Sequence, residues 1–130
     1  MSHQTLSRVH ARRLVSWAER HPEARVLSAD LTSSTEVDAF RDRFPNRFLS
    51  FVVAEQNMVS FAGGLAREGL LPLIHTFAVF LYRRAYDQIA VSCAYPCLRV
   101  RFFGFLPGVT TPGGATHQAI EDIALMRALP

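Results

Sequence analysis

The sequence predicts an α/β fold, a mostly parallel sheet with helices on both faces. Short apolar runs rich in Val, Leu, Ile and Phe alternate with segments of helical periodicity along the chain. Strand–helix–strand successions of this kind close through right-handed crossovers into parallel sheets. The length of 130 residues, 49% of them apolar, fills one core, so one domain over residues 1–130 is expected.

Each element has its own signal. Ala11, Leu14, Val15 and Ala18 share one face of a helix expected from about Thr5 to Glu19, with His21 and Pro22 ending it. Arg25 to Ala29 reads as a strand. Ser33, Ser34 and Thr35 supply caps for a helix carrying Val37, Phe40 and Phe44. Phe48 to Ala54 is a second strand. The helix after it buries Met58, Phe61, Ala62 and Leu65 and ends at Gly69, with Pro72 as a stop. Leu73, Ile74 and His75 begin a third strand. A helix from Arg84 to Ala94, a strand from Leu98 to Phe103, a loop rich in Gly, Pro and Thr, and a helix from Gln118 to Ala128 complete the chain.

Charge and composition exclude several classes of function. The 14 basic residues are all Arg, and with 11 acidic residues scattered among them the net charge is only +3. No basic patch for nucleic acid is expected. The most apolar uncharged run, Gly69 to Tyr82, is 14 residues and contains Pro72. A membrane span needs roughly 20. The start leads into a charged helical pattern without a signal peptide's apolar run, so a cytoplasmic location is expected. Cys93 and Cys97 are spaced like neither a redox pair nor a zinc half-site, and the His residues are dispersed. Both thiols read as free and buried, and no metal ligands are assigned.

Glu55 stands out as a carboxylate at the end of the apolar stretch Phe51 to Ala54, where a helix begins. A parallel sheet places such a residue at the carboxyl edge of the strands, where α/β proteins bind ligands. A buried carboxylate there is suited to holding or sharing a proton. Asp30, Thr76 with Phe77, and the loop from Gly104 to His117 also follow predicted strands. All four should gather at one edge.

Several segments, in order, resemble the pyrimidine-binding domain of thiamine-diphosphate enzymes of transketolase type. They are Ser28 to Thr32, Ala54 to Met58, Thr76 to Phe80, and Ala115 to Gln118 with Glu121 to Ala124. Ala85 to Ile89 is also similar to deoxyxylulose-phosphate synthases, which share the domain. The resemblance implies that Glu55 bonds a ring nitrogen of the cofactor's aminopyrimidine and favours its imino tautomer. It implies aromatic contact with that ring from Phe77 and Phe80, and a place for Asp30 facing the cofactor across a partner interface. His117 matches a His that bonds donor-sugar hydroxyls, and Ser34 matches a Ser that holds substrate. From the residues alone, Glu55 also reads as a helix-start carboxylate stabilised by the helix dipole, Ser34 and His117 as helix caps, Asp30 as an Asx-turn anchor, and each Phe as core.

Departures from the family pattern matter equally. Gly113 stands where relatives carry an acidic residue, Phe105 where they carry His, and Arg83 where transketolases often carry an aromatic. No Gly-Asp-Gly with a downstream Asn is present, so a diphosphate-domain partner subunit holding Mg is implied. The chain also stops where relatives continue, which reads as C-terminal truncation or a minimal split subunit. The expected activity is two-carbon ketol transfer between sugars or sugar phosphates, in a homo- or hetero-oligomer and not by the isolated chain. The alternatives are a noncatalytic interaction or regulatory module of the same fold, and a subunit like deoxyxylulose-phosphate synthase or the 2-oxoacid dehydrogenase beta chain. The Gly63–Gly64 pair permits a close backbone approach, either between chains or of helix on sheet.

Overall fold

The structure is a computed structural model that describes residues 8–130. Four strands, β1 (Ala24–Ser28), β2 (Phe48–Ser50), β3 (Leu71–Phe77) and β4 (Arg101–Phe105), form one sheet in the order β2-β1-β3-β4. Every pairing is parallel, with Val26 opposite Phe48 and Leu73, and Leu73 opposite Arg101. The chain runs outward from β1 to β2 and then returns to the other side of β1. The strand order therefore reverses around β1, which opens a crevice at the carboxyl ends of the strands.

Alternating side chains divide the core between two faces. Ala24, Val26, Leu71 and Leu73 pack on one side against Leu14 and Ala18 of α1 (Val9–Ala18) and Phe40 of α2 (Asp38–Arg43). On the other side Leu27 and Ile74 meet Met58, Val59 and Ala62 of α3 (Glu55–Arg67). The same cluster takes in Leu81 of α4 (Ala78–Arg84) and Ile89, which follows the single turn α5 (Tyr86–Gln88). A last helix, α6 (Asp122–Arg127), packs through Leu125 and Met126 onto Ala78, Val79 and Tyr82.

Neighbouring segments satisfy the ends of α1. Glu36 accepts a hydrogen bond from the Ala11 N–H near its start, and Arg47 donates to the Ala18 and His21 carbonyls at its end. Arg47 also lies 3.8 Å from the centre of the Phe44 ring. The Thr5–Ser7 part of the expected first helix lies outside the described residues.

Several boundaries differ from the expectation. β2 stops at Ser50 because Phe51 donates its N–H to the Ser28 carbonyl and Val52 then turns through φ 50°, leaving Val52 and Val53 exposed. Phe61 is 44% exposed and leans on Phe51 instead of filling the core. Pro72 lies inside β3. Leu71 donates to Glu23 on the β1 side, so the N–H that Pro72 lacks would face β4, whose ladder begins only at Leu73.

β3 extends to Phe77, and α4 follows at once, ahead of the helix expected from Arg84. The expected Arg84–Ala94 helix is α5 plus a wider π-helical turn, Ile89–Ala94, with Tyr95 N–H bonded to the Ala90 carbonyl. β4 sits a few residues later than expected. The last helix begins at Asp122, because Ala119 is drawn into an antiparallel bridge with Gly108. Among the described residues, no helix is long and apolar enough to cross a membrane.

Gly63 packs inside the molecule. A Cβ there would lie 2.6 Å from the Ser92 carbonyl oxygen, whereas one on Gly64 meets nothing within 4 Å. The close approach that the glycine pair permits is therefore that of α3 on the Ile89–Ala94 turn. Cys93 is buried and its thiol is pushed up to about 11 by desolvation, but Cys97 is exposed, against the expectation of two buried thiols.

Candidate functional site

Glu55 opens α3 and is 2% exposed, so its carboxylate needs an internal partner. Arg84 supplies one. Its Nη1 lies 3.0 and 3.1 Å from the two Glu55 oxygens. Arg84 closes α4, one turn after Phe80, and residues four apart share a helix face. The guanidinium accordingly covers Phe80, with Cζ 4.1 Å from the ring centre.

Phe80 in turn stacks on Phe77 at 5.8 Å and meets the His117 ring edge-on at 5.2 Å. Of the residues singled out in the sequence, Glu55, Phe77, Phe80 and His117 thus form one connected group. Arg84 is the link that the sequence did not flag, since a pair 29 residues apart becomes visible only once the sheet brings the segments together. A cleft of about 460 Å³ beside this group is lined by Val53, Ala54, Glu55, Gln56, Arg83 and Arg84.

The His117 segment is held from α4. Arg83 Nη2 donates to both Glu121 oxygens at 2.8 Å, and Nη1 reaches the Ala115 carbonyl at 3.4 Å. The Tyr82 hydroxyl also donates to Glu121. This hydrogen bond and the Arg83 guanidinium hold the Glu121 carboxyl below the ordinary range. Arg83, a departure from the family pattern, therefore anchors the loop. His117 sits in a short 3₁₀ turn, Ala115–His117, with Thr116 Oγ1 2.9 Å from its Nδ1. A Cβ on Gly113 would lie 2.6 Å from His117 Cγ, so the ring occupies the space an acidic side chain would need.

Asp30 and Ser34 are exposed on the connection from β1 to α2. Among the described residues, no hydrogen bond, ion pair or ring contact joins them to the Glu55 group. Asp30 has φ 56°. Ser34 does not cap α2, which starts at Asp38 after Val37 without a side-chain cap. His117 does not cap α6 either, because Glu121 holds that position.

Phe105 is the β4 partner of Phe77 in the sheet, but its ring contacts are with histidines. Its ring and that of Phe103 surround a pair formed by half-buried His10 and buried His75, whose Nε2 atoms are 3.0 Å apart. The Phe at this position thus builds an aromatic wall around the histidine pair.

The group suits a flat, nitrogen-bearing heterocycle. A buried carboxylate bonds ring nitrogens and amino groups, and Phe80 and Phe77 offer aromatic surface beside it. A metal–diphosphate end needs oxygen donors in a cluster. Among the described residues no three His, Cys, Asp or Glu side chains come together as such a group.

An all-parallel α/β domain with a buried Glu at a helix start, flanked by aromatics at the carboxyl edge, has the geometry of a candidate ligand site of the α/β class. Residues 3–130 match the family model described as transketolase, pyrimidine binding domain, and the chain belongs to that family. It is 45% identical over 117 residues to an uncharacterized transketolase family protein of Sinorhizobium fredii, covering 90% of this chain and 34% of the relative. It is 38% identical over 118 residues to a 6-deoxy-6-sulfo-D-fructose transketolase subunit of a Clostridium species, covering 90% and 37%. A solved structure titled as a split gene transketolase, inactive beta4 tetramer, superposes with a TM-score of 0.79 at 43% identity, covering 93% of this chain and 39% of that one. The chain spans little more than a third of the length of these relatives.

Proposed function

We propose that this chain is the pyrimidine-binding half of a thiamine-diphosphate-dependent transketolase-like enzyme. It works with a diphosphate-binding partner subunit that holds Mg, and moves a two-carbon ketol unit between sugars or sugar phosphates in the cytoplasm. The observation that carries this reading is the buried Glu55 carboxylate at the start of α3, joined through Arg84 to the Phe80 ring. Residues 1–130 act as one pyrimidine-binding domain.

When bound, thiamine diphosphate supplies the electron sink that lets the ketol unit leave one sugar and join another. Glu55 hydrogen-bonds a ring nitrogen of the aminopyrimidine, a contact that its water-excluded place at the start of α3 favours. Phe80 and Phe77 offer the faces on which that ring packs. His117, pinned by the Arg83–Glu121 clamp, hydrogen-bonds donor-sugar hydroxyls. Ser34 holds substrate and Asp30 faces the cofactor across the subunit interface, roles that their exposure on the β1–α2 connection permits.

Gly113 in place of an acidic residue removes one means of reading a sugar hydroxyl. The relative named for a sulfonated fructose supports a donor range that includes ketoses with an anionic end group. The isolated chain is inactive because the metal–diphosphate half lies on the partner. A second reading, a noncatalytic module that regulates a thiamine enzyme, draws support from the ion pair that engages Glu55 and from the changes at Gly113 and Phe105.

Ketol transfer by the chain co-purified with a partner carrying Gly-Asp-Gly and a downstream Asn, with thiamine diphosphate and Mg, tests the assignment. Glu55→Gln should lower the rate by roughly 100-fold or more, the range of a positioned proton-transfer group. Equal rates for the two proteins would remove Glu55 from the mechanism. Failure of every assembly to bind cofactor would leave the regulatory module.

A further inference from the structure

We infer that Arg84 is a resident stand-in for the aminopyrimidine, a side chain that occupies the cofactor's seat until displaced and so sets the affinity for it. The inference rests on the pyrimidine-site reading of Glu55 and Phe80. A guanidinium is planar, delocalised and rich in N–H donors, and it packs flat on aromatic faces. An aminopyrimidine shares the flat shape, the nitrogen donors and the stacking surface. Arg84 makes both of the contacts assigned to the pyrimidine, reaching the two Glu55 oxygens at 3.0 and 3.1 Å and standing 4.1 Å from the centre of the Phe80 ring.

The residue is also built to leave. Its side chain is 44% exposed, whereas that of Glu55 is 2% exposed. Arg84 ends α4, so rotation about its own side-chain bonds carries the guanidinium away from Phe80 without moving the helix that holds the ring. The adjoining cleft of about 460 Å³, lined by Arg84 itself, gives the incoming ring an approach. Displacement exchanges one hydrogen-bonded, stacked partner of Glu55 for another, so the buried carboxylate is never left without a donor. The cofactor must then outcompete Arg84, and its apparent affinity falls by the fraction of molecules in which the seat is taken.

A purely supporting role and a competing role predict opposite signs. Removing a support loosens the site and weakens binding, whereas removing a competitor tightens it. The experiment measures thiamine diphosphate affinity by calorimetry, with Mg, on the chain assembled with its partner as wild type, Arg84→Ala, Arg84→Gln and Glu55→Ala. Arg84→Ala should bind about ten-fold tighter than wild type and Arg84→Gln by a smaller factor. In wild type, the Arg84 Nε–H resonance should shift and sharpen on cofactor addition as the side chain enters solvent.

Should Glu55→Ala weaken binding while both Arg84 variants bind no tighter than wild type, the stand-in is overturned and the pyrimidine-site reading survives. Binding by Glu55→Ala equal to wild type would overturn both. An Arg84 resonance unmoved by cofactor, in a wild-type assembly that binds it, overturns the stand-in independently of how the variants fold.

Discussion

His75 illustrates how one buried residue ties the sheet to the pH response. It is fully buried in β3, its ring stacks on Phe103 at 4.5 Å, and its Nδ1–H donates to the Leu73 carbonyl at 3.1 Å. That bond fixes the tautomer and leaves Nε2 to accept from His10 Nε2–H at 3.0 Å. A proton on His75 would place two N–H groups face to face in an apolar setting. Desolvation, followed by the nearby His10, lowers its pKa from 6.5 to about 3. His10 is itself lowered by burial, against the raising influence of Glu36. Because the folded pKa lies below the unfolded one, the unfolded chain binds the extra proton. Stability from this residue is therefore complete above pH 6.5 and is lost progressively as pH falls toward 3, by about 1.4 kcal/mol per unit at the steepest. Replacing His75 with Phe should flatten that limb. Denaturant midpoints at pH 7 and pH 4.5 should show wild type losing roughly 2 kcal/mol more than His75→Phe over the interval, and parallel losses would assign the acid sensitivity to other groups.

The packing of α3 on the Ile89–Ala94 turn makes adjacent glycines behave oppositely. At Gly63 an added methyl meets the Ser92 carbonyl oxygen at 2.6 Å, a backbone atom that cannot rotate aside, so Gly63→Ala should cost about 1–3 kcal/mol. At Gly64 nothing lies within 4 Å, and Gly64→Ala should add about 0.5–1 kcal/mol through helix propensity alone. Thermal melts should move in opposite directions by several degrees, and a fall at both positions would refute the assignment of Gly64 to the open side. The sequence showed that a close approach was possible here, but which element was approached depended on tertiary structure. The same division runs through the other elements. The helices with clear periodicity, α3 throughout and α1 at its end, were legible nearly to the residue, because a stripe of small and apolar side chains has one way to be buried; α1 starts only at Val9, after Arg8 turns through φ 52°. α4 was not, since Thr76 to Tyr82 is an unbroken apolar run whose residues suit a strand as well as a buried helix. The site divides likewise. Glu55 could be found as a lone carboxylate after an apolar stretch, and Phe80 and His117 through resemblance to a family. Arg84 and the Arg83–Glu121 clamp could not, because their partners are 29 and 38 residues distant and an arginine in a helix ordinarily faces solvent.

At the scale of the molecule, the parallel order β2-β1-β3-β4 places the carboxyl ends of all four strands on one edge, with Glu55, Phe77, Phe80 and His117 gathered beside it. Under the proposed function the group takes the aminopyrimidine, and the metal–diphosphate end lies on a partner chain. Such a division has a thermodynamic signature. A ligand that binds only the folded protein raises stability by RT ln(1 + [L]/Kd), about 2.7 kcal/mol at a hundred times Kd. On that reading the chain alone offers only the aminopyrimidine contacts, so thiamine diphosphate with Mg should leave its melting temperature nearly unchanged. After mixing with the diphosphate-domain subunit the same ligand should raise the melt by several degrees, and by more when Arg84 is replaced with Ala. Glu55→Ala should erase most of the increase while leaving assembly intact by gel filtration. A full shift in the isolated chain would show that this molecule carries its own diphosphate site, and the two-subunit architecture would fail.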